Sequence, residues 1–138
     1  MKRLKFDYVK FGRYKRPIIP VRLTYNKHSV NTPALIDSGA DFNVFHLSIA
    51  KDIGLRLNMN KPVVFSGIGD KSQKLTGYLG IVDLMIFNKG ENIHFSTPIV
   101  FTNDIPANGT PLLGETGFFD HISEVIFYYS RGKITLQG

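Results

Sequence analysis

The sequence of 138 residues contains no cysteine and no tryptophan. The absence of cysteine excludes a disulfide-stapled scaffold, a thiol nucleophile and a zinc site with thiolate ligands. No apolar run approaches the ~18 residues that a membrane-spanning helix needs, and the basic N-terminus lacks the apolar segment of a signal peptide. We therefore expect a soluble, cytoplasmic protein with no membrane partner.

The residues that are present favour a globular β protein. Hydrophobic residues make up 43% of the chain and aromatic residues 12%, which is enough for a sizeable core and too much for general disorder. The length matches the commonest domain size of ~100–150 residues, so we expect one domain over residues 1–138. Thirteen glycines and seven prolines separate segments rich in β-branched and aromatic residues, a pattern typical of an all-β fold.

Several short segments are predicted to form regular structure. The predicted strands cover residues 18–25, 34–36, 62–66, 75–87, 93–101 and 125–136, the last interrupted by a turn at 130–132. Residues 67–71 are predicted to form the tip of a hairpin. A helix is predicted over 47–55, ending at Gly54, and one or two helical turns over 116–122.

The N-terminal segment carries a cluster of positive charge. Seven Lys and Arg residues fall within the first sixteen positions, opposed only by Asp7, and the whole chain has a net charge of +6. Such a cluster is typical of a nucleic-acid or anionic surface, whose binding would weaken steeply with salt. It is also typical of the solvent face of an edge strand. Phe6, Tyr8 and Phe11 alternate with the charges as on a half-buried strand, which favours the edge strand and disfavours nucleic acid as a partner.

Residues 35–40, with the sequence LIDSGA, are the most informative segment for chemistry. Asp37 directly follows an apolar strand, where an unpaired carboxylate costs several kcal/mol to bury or shifts its pKa. Ser38 can hydrogen-bond to neighbouring groups, Gly39 permits close approach of another chain, and Ala40 keeps the site small. Asp-Ser-Gly is equally ordinary turn chemistry, so this segment alone leaves a turn and a catalytic site both open.

Three further segments favour a site. Gly67, Ile68 and Gly69 lie between two predicted strands and suit a mobile cover over a cleft. The segment 111–114 repeats the pattern of an apolar pair followed by glycine, and residues 117–119 (GFF) follow it closely. A short helix there could pack aromatic side chains beneath the loop.

In this order, the segments resemble the retropepsin-like aspartic proteases, and especially their short bacterial branch. The family pattern is an apolar pair with Asp-Thr/Ser-Gly-Ala, a short helix, a glycine-rich flap hairpin, and a second apolar pair with glycine before a short helix. The corresponding segments are 35–40, 47–55, 66–77 and 112–122. The resemblance spans nearly the whole chain and implies a small closed all-β barrel with one or two short helices and a flap hairpin.

The resemblance also implies an activity, that of an aspartic endopeptidase. Because the chain has a single Asp-Ser-Gly, the implied enzyme is a homodimer with Asp37 from each subunit. Two carboxyls about 3 Å apart share one proton, so that one activates a water and the other protonates the scissile carbonyl. The implied substrate is an extended protein segment with apolar residues beside the scissile bond, and neither a metal nor a cofactor is needed.

The roles of individual residues follow from the same resemblance. Asp37 is the catalytic residue, and Ser38 and Gly39 support it, Ser38 through hydrogen bonds between subunits. The residues expected to contact substrate are Gly39, Ala40, Asp41, Gly67, Ile68, Gly69 and Leu112. Leu113 is expected to belong to the core.

One position departs from the family pattern. The family usually has Arg after the glycine of the second motif, paired with the acid that follows Asp-Ser-Gly-Ala, but this chain has Glu115 opposite Asp41. Two acids there repel, so we expect Arg131, Lys51 or another base to pair with Asp41, or Glu115 to point to solvent. The departure keeps open a catalytically inactive dimer of the same fold that binds peptides or partner proteins.

Other candidate sites fail on spacing. The histidines at 28, 46, 94 and 121 share no ligand spacing, so no metal site is predicted. Residues 67–72 superficially resemble a phosphate-binding loop, but an aspartate separates the glycine from the lysine.

Overall fold

The computed structural model describes residues 2–67, 70 and 72–138. Over these residues the chain is mostly β, with one short α-helix and two 3-10 turns, Phe119–His121 and Tyr129–Arg131. The strands are β1 (Arg3–Asp7), β2 (Val9–Phe11), β3 (Tyr14–Arg16), β4 (Ile18–Tyr25), β5 (His28–Ile36), β6 (Val44–His46), β7 (Val63–Ser66), β8 (Lys74–Asn88), β9 (Glu91–Thr102), β10 (Leu112–Leu113), β11 (Glu124–Tyr128) and β12 (Lys133–Gln137), and the helix is α1 (Leu47–Asp52).

The largest sheet has seven strands in the order β4-β5-β10-β6-β9-β8-β7. It closes into a ring because β4 pairs with β5 on one side and with β8 on the other. Two of its contacts are parallel, β10 with β5 and β6 with β9. The expected small closed all-β fold is therefore confirmed, with β7 attached to β8 outside the ring.

Two smaller sheets complete the fold. The first and last parts of the chain meet in a three-stranded sheet, β1-β12-β11, in which Phe6 lies opposite Ile134. Strands β2 and β3 form a separate hairpin that follows β1 in the sequence. Among the described residues, no helix has the length and apolar character to cross a membrane.

The core follows from alternation along the strands, since successive side chains point to opposite faces of a sheet. In β4, Val21 and Leu23 are fully buried and alternate with more exposed neighbours. In β8, Leu84 and Ile86 do the same. These residues join one cluster that also includes residues from β1, β12 and the helix, so the terminal sheet packs on the same core as the ring.

The sequence predictions hold best where the alternation is long. Strand 18–25 is confirmed without change, and strands 75–87 and 93–101 are confirmed but extend slightly further. The strand predicted over 34–36 begins instead at His28, because polar residues alternate with half-buried ones along its first half. The helix ends at Asp52, with Gly54 just beyond its cap at φ +70°, and only one 3-10 turn forms within 116–122.

The N-terminal segment forms an edge strand, as favoured by the sequence, because β1 pairs only with β12 among the described strands. Phe6 is buried and Tyr8 is half-buried, but Phe11 is 52% exposed. Phe6 and Tyr8 therefore agree with the expected half-buried strand, and the expectation that Phe11 belongs to it was wrong. Phe11 lies in β2 of the separate β2–β3 hairpin.

Candidate active site

Asp37 lies where two parallel strands end side by side. Its backbone N–H donates to the carbonyl of Leu113 at 2.9 Å, and the N–H of Leu35 donates to the carbonyl of Pro111 at 2.8 Å. Strand β10 thereby fixes the last residues of β5 from one side. The chain leaves the sheet directly after these bonds, so the position of Asp37 is set by the sheet.

The residues after Asp37 form a tight turn. The N–H of Ala40 donates to the carbonyl of Asp37 at 3.1 Å, and the N–H of Gly39 donates to Asp37 Oδ1 at 2.9 Å. The two interpretations left open by the sequence, a turn and a site, are thus compatible. The carboxylate holds its own turn through Oδ1 while it lines a cavity.

A second loop packs against this turn. The N–H of Glu115 donates to the carbonyl of Ala40, and the N–H of Thr116 donates to the carbonyl of Asp41, each at 2.9 Å. A Cβ on Gly114 would lie 2.4 Å from the carbonyl oxygen of Phe42, closer than real Cβ contacts come. Glycine at 114 therefore lets the two loops touch through their backbones.

Asn43 joins these loops from inside the protein and was missed by the sequence analysis. Its side chain is fully buried, with Oδ1 accepting from the N–H of Gly114 at 3.0 Å and Nδ2 donating to the carbonyl of Pro98 at 3.3 Å. Below it, Thr97 Oγ1 donates to the carbonyl of Gly117 at 2.5 Å. A buried polar side chain needs such partners, but an asparagine between apolar residues gives no such signal in a sequence.

The turn opens onto a cavity of about 260 Å³. The cavity is lined by Asp37, Gly39, Ala40, Asp41, Phe42, Val44, Phe65, Ser66, Gly67 and Leu112. Six of these were predicted as site residues, whereas the four at positions 42, 44, 65 and 66 were not. Ser38 is exposed and does not line the cavity, and the predicted residues Ile68 and Gly69 lie outside the described residues.

Of the residues missed by the sequence analysis, Val44 lies in β6, Phe65 and Ser66 lie in β7, and Phe42 lies just before β6. Val44, Phe65 and Leu112 belong to a small apolar cluster beneath the cavity, and Phe42 packs against it. Leu113, the next residue, is fully buried in the main core. The adjacent leucines therefore face in opposite directions, one toward the cavity and one into the ring of strands.

Strands β7 and β8 pair antiparallel, and this pair, which we call the flap hairpin, borders the cavity through Ser66 and Gly67. The N–H of Gly67 donates to the carbonyl of Gln73 at 2.6 Å. A Cβ at residue 67 would come within 2.7 Å of the carbonyl oxygen of Asp70. Glycine at 67 thus permits the strands to turn sharply at this point.

Asp70 stabilises the described part of the turn. Its Oδ1 accepts from the backbone N–H of Ser72 at 3.0 Å and from Ser72 Oγ at 2.6 Å. The side-chain hydrogen bond from Ser72 is the largest cause that lowers the pKa of Asp70 below its ordinary value, and the backbone bond adds to it. The ionised form of Asp70 therefore favours the folded turn.

Asp41 and Glu115 are both exposed. Within the described residues, neither Arg131 nor Lys51 forms an ion pair with Asp41, and Arg131 lines a different cavity beside Arg3. Of the alternatives that the sequence left open, the structure matches the one in which Glu115 is exposed to solvent. Its carboxylate then needs no partner in the same chain.

The chain was compared with known proteins. No protein-family model matches it, and no curated protein matches it. Among solved structures it is similar to a retropepsin-like aspartic protease from Rickettsia conorii, with a TM-score of 0.58, 10% sequence identity and 99% of each chain covered. It is also similar to the EIAV protease complexed with the inhibitor HBY-793, with a TM-score of 0.43 and 23% identity over 77% of this chain and 88% of that chain. Together with the closed ring of strands, the first likeness shows that this chain has the retropepsin-like fold.

Proposed function

We propose that this chain is an aspartic endopeptidase and that it works as a homodimer with Asp37 from each subunit as the catalytic pair. The observation that carries the proposal is the placement of Asp37. A strand pair fixes its backbone, and its carboxylate lines a cavity bordered by a hairpin. A carboxylate that only capped a turn would need neither the cavity nor the hairpin.

The dimer follows from the chemistry of peptide hydrolysis. One carboxylate must take a proton from the attacking water while an acid gives one to the carbonyl oxygen. Two close carboxyls divide these roles because they share one proton, and they titrate as a pair. The sequence has one Asp-Ser-Gly, so the second equivalent carboxyl must come from another subunit.

The lining of the cavity suits an extended apolar peptide. Val44, Phe65 and Leu112 provide apolar walls, and the backbone of Gly67 lies at the cavity rim. An extended peptide can pair with strand edges through its main chain while alternate side chains enter pockets. In this proposal Ala40 and Leu112 shape one such pocket, whereas Ser38, Ile68 and Gly69 keep the roles that the family resemblance implies.

The test is cleavage of a diverse peptide mixture, read by mass spectrometry at mildly acidic and neutral pH. The wild type is compared with Asp37→Asn, which keeps the shape of the side chain, and with Asp83→Asn as a matched control on an exposed part of β8. We expect products from the wild type and the control and none from Asp37→Asn. Cleavage that persists in Asp37→Asn overturns the assignment.

A second variant distinguishes the role of the proposed Asp37 pair from the role of another carboxylate in the cavity. Asp41 also lines it, but in this proposal it binds substrate without exchanging protons. Asp41→Asn should therefore raise KM and retain a substantial kcat, whereas Asp37→Asn loses kcat. If the wild type is demonstrably dimeric and yields no products, the proposal fails and a peptide-binding dimer of the same fold takes its place.

A further inference from the structure

The positive charge of this chain is concentrated in two short segments. Residues 2–16 and 131–133 hold nine of the 17 basic residues and only one of the 11 acidic residues. The rest of the chain, with eight basic and ten acidic residues, is slightly negative. The whole positive net charge therefore belongs to these two segments, which lie more than a hundred residues apart in the sequence.

The fold brings the two segments together. Strand β1 pairs with β12, where Asp7 lies opposite Lys133. The β2–β3 hairpin packs on the 3-10 turn at Tyr129–Arg131, since Lys15 Nζ donates to the carbonyl of Tyr129 and lies 4.2 Å from the centre of its ring. The ring of Tyr8 packs edge to face against the ring of Tyr129, with 5.5 Å between the ring centres. We call the resulting surface, the outer side of β1-β12-β11 with this hairpin, the basic face.

The basic face contains a concave site. A cavity of about 340 Å³ is lined by Arg3, Lys5, Arg131 and Lys133, together with Ile126, Tyr128 and Thr135. These residues stand on the outer side of the sheet because Lys5, Thr135 and Ile126 are aligned across it, while their neighbours Leu4 and Leu136 point into the core. Among the described residues, no acidic residue lines this cavity, and none lines both it and the cavity at Asp37.

Two of the four cations have no partner among the described residues. Lys133 forms an ion pair with Asp7, and Arg3 Nη2 donates to Gln137 Oε1 at 2.7 Å. Over the part of the chain that the structure describes, the side chains of Lys5 and Arg131 form neither an ion pair nor a hydrogen bond. Unneutralised cations that converge on one concavity favour the binding of an anion.

The basic face also carries exposed aromatic rings, and one of them, Tyr128, lines the cavity. Tyr128 and Tyr129 are 42% and 55% exposed, and Phe11 and Tyr14 on the hairpin are 52% and 55% exposed. Aromatic rings beside a positively charged groove are typical of surfaces that bind single strands, because each base can stack on a ring while its phosphate meets a cation. An acidic protein would use the cations but gain little from the rings, and a membrane would contact a convex surface in preference to a concave one.

We propose that the basic face binds single-stranded nucleic acid, with Lys5 and Arg131 contacting phosphates and Tyr128 stacking on a base. The sequence favoured an edge strand over such a role because aromatic residues alternate with the charges in the N-terminal segment, and Arg131 and Lys133 lie far from that segment in the sequence. The edge strand does form, and the basic face is an additional property created when the distant segments meet. This surface is separate from the candidate active site, so its binding does not depend on proteolysis.

The test measures the affinity for a labelled oligothymidylate of about 12 nucleotides, a length comparable to the ~4–16 nucleotides that one OB fold covers. Fluorescence anisotropy is recorded over a series of salt concentrations. For the wild type we expect log affinity to fall linearly with log salt, with a slope of about −0.7 for each phosphate contact. The double variant Lys5→Glu, Arg131→Glu should bind at least about tenfold more weakly and with a shallower slope.

Three controls make the outcome decisive. The pair Lys27→Glu, Arg56→Glu changes net charge equally at exposed sites outside the basic face and should bind close to wild type. Tyr128→Ser should weaken binding at least about fivefold without changing the salt slope. Asp37→Asn should bind as tightly as the wild type, so that a failure of this proposal is distinct from a failure of the proposed protease.

Other outcomes overturn the proposal. Absent binding at low salt, or equal losses in both charge-reversal pairs, would mean that the basic face is not a specific surface. A membrane surface would be identified instead if anionic lipid vesicles bound the protein more tightly than the oligonucleotide does, and if Tyr128→Ser bound the oligonucleotide with wild-type affinity.

Discussion

The side-chain oxygen of Asn43 accepts a hydrogen bond from the backbone N–H of Gly114, across 71 residues of sequence. Both residues are buried, and the amide of Asn43 donates to the carbonyl of Pro98 in β9. One side chain thereby joins the segment after the Asp37 turn, the loop after β10 and a strand of the ring. The geometry around Asp37 depends on this amide although it does not line the cavity.

We predict that Asn43→Ala lowers the free energy of unfolding by about 1–3 kcal/mol, because the buried N–H of Gly114 loses its acceptor. Urea unfolding measures the change. Asn108→Ala is the matched control, since Asn108 is exposed, and should stay within about 0.5 kcal/mol of wild type. Equal stability of the two variants would show that the buried amide does not tie the loops together.

Gly114→Ala tests the close approach of the two loops. The added Cβ would meet the carbonyl oxygens of Phe42 and Ala40 at 2.4 and 2.6 Å, so the loops must separate. We expect a loss of stability of about 1–3 kcal/mol from this overpacking, and a lower kcat if Asp37 is catalytic. Gly138→Ala, whose new Cβ would have only ordinary contacts of 3.4 Å or more, should unfold like the wild type in the same urea titration.

Mixing subunits tests whether Asp37 acts as a pair. When wild-type protein is equilibrated with an equal amount of Asp37→Asn, random exchange in a dimer leaves about half of the wild-type subunits in fully wild-type pairs. Activity should fall to about half, and further with excess variant. As a control, adding Asp83→Asn in place of Asp37→Asn should raise activity, because that variant is expected to be active. If adding Asp37→Asn leaves the rate unchanged, each subunit works alone.

The hydrogen bond between Ser72 and Asp70 predicts a titration shift in the flap hairpin. Because this bond lowers the pKa of Asp70 below the ordinary 3.8, its contribution to stability is present above that value and is lost as the pH falls through the folded-state pKa. Ser72→Ala should raise the pKa of Asp70 toward 3.8. The measurement is the carboxyl carbon shift of Asp70 by NMR, with Ser130→Ala as the control that leaves the titration unchanged.

Much of the fold could be predicted because it rests on local patterns. The alternation in residues 18–25 is long enough to specify a strand and its buried face, and the prediction for Leu113 was confirmed by its complete burial. Strands β6 and β10 were not predicted, since each has only two or three residues. Their conformation depends on parallel pairing with distant strands, which leaves no periodic signal in so short a run.

The residues of the candidate site also fall into those that the sequence predicted and those that it did not. The chemistry of residues 37–41 was visible because an acid after an apolar strand is unusual, whereas the missed lining residues Phe42, Val44 and Phe65 are apolar and looked like ordinary core. Val44 and Phe65 reach the cavity only because β6 and β7 are placed beside β10 and β8. No local pattern marks a residue as lining a cavity that distant segments create.

The sequence by itself determined that this chain is a β protein without thiol chemistry, and it determined the order of segments that resembles the retropepsin-like proteases. Those properties depend on composition and on side-chain alternation, which are local. Tertiary structure alone decided that Asn43 is buried between two loops, that Glu115 faces solvent, and that Arg131 joins the N-terminal cations on one face. These features arise from contacts between residues far apart in the chain, and such contacts exist only once the ring of strands has closed.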